Sequence, residues 1–173
     1  MVESLGVACS MVFATIIFTI LSAWKWGDWR NWQKYHTTML YIAMGNLLYN
    51  FLYFDHRLWQ YEPHFLVNHV IADTLTTFTI LPLTCLIFLT NYPDTVKGQL
   101  FRIIKFITIY FLFEVVFDVY GQIVYNCGWN IWWSLAWLFM MFPMLALHHK
   151  RPLIAYGFST IVLIVMMILF PCI

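Results

Sequence analysis

Residues 101–122 read FRIIKFITIYFLFEVVFDVYGQ, a stretch with the length and composition of a bilayer-spanning helix that nonetheless carries two carboxylates, Glu114 and Asp118. Standing four residues apart, the two acids project from the same face of a helix. An ionised carboxylate near mid-membrane costs about 2.5–3.5 kcal/mol on insertion scales, so such groups face a protein interior or a water-filled cavity. The stretch therefore predicts a membrane-embedded bundle in which something polar stands opposite the pair.

Composition agrees. Hydrophobic residues make up 62% of the 173 positions and charged residues 10%, against about a quarter charged in an ordinary soluble domain. That balance excludes a soluble globular protein. The net charge of +1 gives no case for nucleic acid as a partner. With no low-complexity tract, long linker or internal repeat, residues 1–173 read as a single transmembrane domain.

Five further apolar runs, at about 5–24, 37–54, 69–90, 129–147 and 153–170, predict an all-α, polytopic transmembrane helix bundle of six spans. The first run has no basic leader, and its positive charges follow it. It therefore reads as a permanent span with its N-terminus outside rather than a cleaved signal. In the segment 24–36, Trp24, Trp26, Trp29 and Trp32 alternate with Lys25, Arg30 and Lys34. Indole rings favour the headgroup region and basic side chains favour anionic lipids, so this segment predicts an interfacial helical turn on the inner leaflet. Counting charges tests the orientation. With the N-terminus outside, the inner side holds Lys25, Arg30, Lys34, Lys97, Arg102, Lys105, Lys150 and Arg151, and the outer side holds only Arg57. That asymmetry predicts both termini outside, N-out and C-out.

Three consecutive spans then carry polar pairs at helical spacing: Asn46 and Asn50, His69 and Asp73, Glu114 and Asp118. In the topology above, Glu114 lies about 4–5 Å and Asp118 about 10 Å from the midplane towards the outside. The other two pairs also fall in the outer half. Short loops make consecutive helices neighbours, so the six residues are expected to converge on one outward-facing intramembrane polar pocket that binds a small polar ligand or a proton, in transport or sensing. A second reading keeps the pairs as interhelical glue in a structural or accessory membrane subunit. A third makes His69, Asp73, Glu114 and Asp118 ligands of a divalent metal in a membrane enzyme, with His56 and His64 of the loop as further donors. No HExxH, GxSxG or phosphate-binding glycine loop supports catalysis, so binding is preferred and no cofactor is predicted. Six spans without repeats are few for a lone carrier; a homodimer or a larger membrane complex would supply the remainder.

Cys9, Cys85, Cys127 and Cys172 form no CxxC or Cys/His ligand pair. Cys9, Cys127 and Cys172 fall near the same membrane side, which permits a disulfide, but small apolar packing is the preferred reading. Finally, the run WKWGDWRNWQKY at 24–35, with GNLLY at 45–49, LWQY at 58–61 and NCGWNIWWS at 126–134, resembles a family of small uncharacterised multi-pass membrane proteins from spore-forming Gram-positive bacteria. The resemblance covers nearly the whole chain. It implies a bacterial plasma-membrane location and adds no catalytic residue.

Overall fold

The computed structural model describes the backbone of residues 2–61 and 69–172 and the side chains of residues 11–61 and 70–172. Six helices fall on the six apolar runs: α1 (Val2–Trp26), α2 (Gln33–Leu52), α3 (69–89), α4 (Val96–Val119), α5 (Ile131–Lys150) and α6 (Pro152–Leu169). Three of them, over Val70–Leu89, Ile131–Lys150 and Pro152–Leu169, are long and apolar enough to cross a membrane. Their outward faces are bare hydrocarbon: Leu153 is 85% and Ile168 71% exposed on α6.

Local chemistry sets the helix ends, and it moves several of them from the apolar boundaries. Thr95 caps α4, its hydroxyl accepting from the Gly98 N–H at 3.2 Å, so the helix starts at Val96 rather than 101. At the other end Gly121 takes a positive φ of 64°. Gln122 N–H then bonds the Phe117 carbonyl and Gly121 N–H the Asp118 carbonyl, each at 2.8 Å, a Schellman closure that ends α4 at Val119. Asn130 starts α5 by accepting from the N–H groups of Trp132 and Trp133. Within the expected interfacial segment 24–36 the separate helical turn is short. α1 continues to Trp26, one 3-10 turn covers Trp29–Asn31, and α2 begins at Gln33. The reason is that the end of α1 is closed from within, the Trp29 indole N–H donating to the Ala23 carbonyl at 2.7 Å.

Helix α3 is not uniform. His69–Leu75 and Leu81–Leu89 are α-helical, and Thr76–Ile80 between them is a π-turn. Pro82 explains it: proline has no N–H to donate and its ring crowds the carbonyl four residues back, which a wider turn relieves. α3 packs against both α1 and α2, and α5 joins α2 to α4 and α6. The centre of the core is aromatic. Phe88 of α3 lies 5.2 Å from both Phe106 of α4 and Phe142 of α5, ring centre to ring centre.

Contacts tie the helix ends into two distinct caps. At one, the Asp28 N–H donates to Thr90 Oγ1 at 3.0 Å, and Arg102 donates to the carbonyls of Ile87, Phe88, Thr90 and Asn91. Lys150 lies over the Tyr92 ring at the same end. At the other, the strands β1 (Trp59–Tyr61) and β2 (Ile123–Tyr125) pair antiparallel, Trp59 opposite Tyr125 and Tyr61 opposite Ile123. This ribbon departs from a purely helical expectation. Two short strands are marginal alone, and here a disulfide between Cys127 and Cys172 fastens the segment after β2 to the tail after α6. The preferred reading of Cys127 and Cys172 as mere packing residues is thereby corrected. Cys85 is free and buried, and the side chain of Cys9 lies outside the described residues.

Candidate functional site

The polar residues of interest gather between the ribbon and the helices beneath it. Glu114 sits five residues before the end of α4, where the chain turns back through Gly121 into β2. That turn brings Tyr125 over the helix it has just left, and its hydroxyl donates to Glu114 Oε1 at 2.9 Å. The Ser134 hydroxyl of α5 stands beside the same carboxylate and accepts from the Trp129 indole N–H at 2.9 Å. Asp118, one turn further along, is exposed. It does not join Glu114 in an enclosed pair.

Asp73 lies in the first turns of α3, 8% exposed, and is ion-paired to Arg57. Arg57 is itself only 8% exposed, and its carbonyl accepts from Asn126 Nδ2 at 3.2 Å. The loop cation of the charge count is therefore a buried partner of an acid of α3. Asn46 crosses from α2 to α3, donating to Thr77 Oγ1 at 2.7 Å, and the Thr77 hydroxyl donates in turn to the Asp73 carbonyl at 2.6 Å. Asn50 bonds back to the Asn46 carbonyl of its own helix at 3.1 Å. The His69 side chain lies outside the described residues, as do Glu62 and His64.

Tyr61, at the end of β1, stands between the two acids. Burial is the chief cause that pushes its phenol up to about 12; the Thr76 hydroxyl opposes this, and the carboxylates of Asp73 and Glu114 reinforce it. The Tyr125 phenol is also raised, by burial first and then by the charge and hydrogen bond of Glu114. Both phenols therefore stay protonated at neutral pH and act as donors and ring surfaces.

A cavity of about 1230 Å³ lies among the helices, with Trp26, Arg102 and Lys105 on its wall at the basic end and Tyr49, Tyr61 and Glu114 towards the ribbon. Asn46 and Ser134 also line it. Of the three polar pairs, then, one member each of two reaches the cavity, Asn46 and Glu114. Asp73 is linked to Asn46 through its backbone carbonyl and the Thr77 hydroxyl. Sequence reasoning did not single out Arg57, Tyr61, Tyr125 or Thr77. Arg57 carried a usable signal, as the lone basic residue on its side of the topology, next to a helix that contains an acid.

The chemistry available is hydrogen bonding, charge pairing and proton exchange at one carboxylate. Among the described residues no three His, Cys, Asp or Glu side chains come together in a metal-binding group. Of the metal-ligand set, Asp73 is engaged by Arg57 and Asp118 is exposed, so neither is grouped with Glu114. Comparison with known protein families, with curated proteins and with solved structures gives no match.

Proposed function

We propose that this chain is a multi-pass plasma-membrane protein of six spans, with both termini and the β1–β2 ribbon outside, whose outer half holds a polar pocket at Glu114 for a small polar ligand or a proton. The orientation rests on the charge count, with eight basic residues at the end opposite the ribbon and Arg57 alone beside it. The disulfide gives independent support, because such bonds persist in oxidising compartments and the Cys127–Cys172 bond lies at the ribbon end. The resemblance to small membrane proteins of spore-forming bacteria implies the plasma-membrane location. At the inner end, Trp24 and Trp26 are exposed beside Lys25, a composition suited to anionic headgroups as partners of segment 24–36. Transport by a chain of this size would call for a homodimer or a larger complex.

One observation carries the binding reading: the Glu114 carboxylate stands on the wall of a cavity with the Tyr125 hydroxyl holding one of its oxygens. An acid whose only task is to join helices is expected to have no open space before it. The test is infrared difference spectroscopy of the membrane-embedded protein while the external pH is stepped. We expect a carboxyl band that responds to the external pH and disappears in Glu114→Gln, with the variant still folded. No Glu114-dependent band, with a lowered unfolding temperature in the variant, would support a structural or accessory subunit instead. That second reading has its own observation, since Asn46, Asn50 and Asp73 all make internal contacts of the helix-joining kind. Full activity in metal-free protein would remove the metal-enzyme reading.

A further inference from the structure

The cavity is far larger than a proton or a small polar ligand needs, and its walls have a definite polarity. Along α4, the stretch from Arg102 to Glu114 measures about 18 Å at 1.5 Å per residue, and both residues lie on the cavity wall. Between those two points several polar groups on the wall are spent on one another or on their own helices. Tyr110 donates to Thr84 at 2.7 Å, and Thr15 and Thr19 donate to carbonyls four residues back. Arg102 at the far end directs its donors to the end of α3. What the middle offers is apolar side chains, among them Met140, Met141 and Met144, whose flexible thioethers adapt to the shape of an occupant. An apolar space of this kind does not hold water well, whereas a mostly apolar pocket with a few polar groups at one end is the usual form of a site for an organic ligand.

The polar end of the wall carries an acid, Glu114. Glu114 accepts from Tyr125 and faces Ser134, which leaves carboxylate lone pairs free. Arg57, the cation at the ribbon end, is engaged by Asp73. A chain of rings runs from Tyr61, which lies beside this carboxylate. Tyr49 and Trp59 are parallel at 6.0 Å, Trp59 meets Tyr61 edge-on at 5.7 Å, and Tyr61 meets Phe117 edge-on at 5.9 Å. All four belong to the cavity wall. Aromatic faces grouped around an acid are the arrangement that recognises an ammonium group.

Resting on the reading of Glu114 as the binding group, we propose that the ligand is a single-chain cationic amphiphile. Its ammonium head sits between Glu114 and the Tyr49–Trp59–Tyr61 rings, and its alkyl tail lies along the methionine-lined cavity towards α4's basic end. The probes are dodecyltrimethylammonium, tetramethylammonium (head alone) and dodecyl sulfate (same tail, opposite charge), titrated into the protein in lipid nanodiscs with tryptophan fluorescence as the readout. Surfactants stay below the level that dissolves the disc. We expect saturable binding of dodecyltrimethylammonium, weakened on the order of tenfold or more by Glu114→Gln, and binding of dodecyl sulfate weaker by a similar factor. Met141→Trp, which fills the middle of the cavity, is expected to weaken dodecyltrimethylammonium and leave tetramethylammonium unchanged, the latter also reporting an intact fold. If tetramethylammonium binds in a Glu114-dependent way and the tail adds nothing, the amphiphile is wrong and the Glu114 pocket survives. Equal binding of dodecyl sulfate and dodecyltrimethylammonium overturns the proposal. If no probe depends on Glu114 and the infrared band is also missing, both readings fall together.

Discussion

Replacing Asp73 by Asn would leave the Arg57 guanidinium buried with no counter-charge. Breaking a buried pair from one side costs about 3–5 kcal/mol, because the surviving charge is stranded, whereas removing both charges for apolar groups of similar size is often neutral. We therefore expect Asp73→Asn to lower the unfolding temperature sharply and Arg57→Met/Asp73→Leu to recover most of the loss. Additive losses in the double variant would show that the two residues do not act as a pair. At this scale the sequence was readable in proportion to how unusual each residue's surroundings were. Glu114 and Asp73 are conspicuous as acids in apolar runs. Arg57 and Tyr61 sit in a polar loop where such residues are ordinary, and only the fold of that loop onto α3 and α4 gives them a role. The i, i+4 rule placed Asn50 beside Asn46 correctly, but the nearest acceptor for its side chain turned out to be its own helix.

The helices themselves were legible from hydropathy, and their ends were not, because caps rather than apolar content fix them. Thr95, Gly121 and Asn130 each shift a boundary by a few residues. The ribbon was not legible at all, since three-residue strands have too little pattern to stand out from a loop. Nor does spacing reveal the bond between Cys127 and Cys172, which lie 45 residues apart in sequence. That bond is where the ribbon end can be tested. In the chain-entropy account a disulfide contributes about 2–4 kcal/mol. Cys172→Ser is expected to destabilise the protein by about that amount. Alkylation of the wild type without reductant should leave two cysteines unmodified that become reactive after reduction. Full alkylation without reductant would place those thiols in a reducing compartment and contradict the proposed orientation.

For the whole molecule, a charge asymmetry, a disulfide at the ribbon end and an acid-bearing cavity together support one proposal: that the Glu114 pocket opens to the outside. Each part is carried by different residues, so they can fail separately. The apolar faces of α5 and α6 argue for the bilayer whichever way the chain is inserted. The charge count speaks to direction and says nothing of the pocket. Access to Glu114 joins them. The measurement is modification of Glu114→Cys in intact cells by a membrane-impermeant, positively charged thiol reagent, in a background with Cys9 and Cys85 replaced by Ala and the Cys127–Cys172 bond retained. We predict rapid modification from outside, with Leu112→Cys, on an exposed apolar position of the same helix, left unmodified. If the reagent reaches position 114 only after the cells are opened, or not at all, the outward-facing pocket is contradicted.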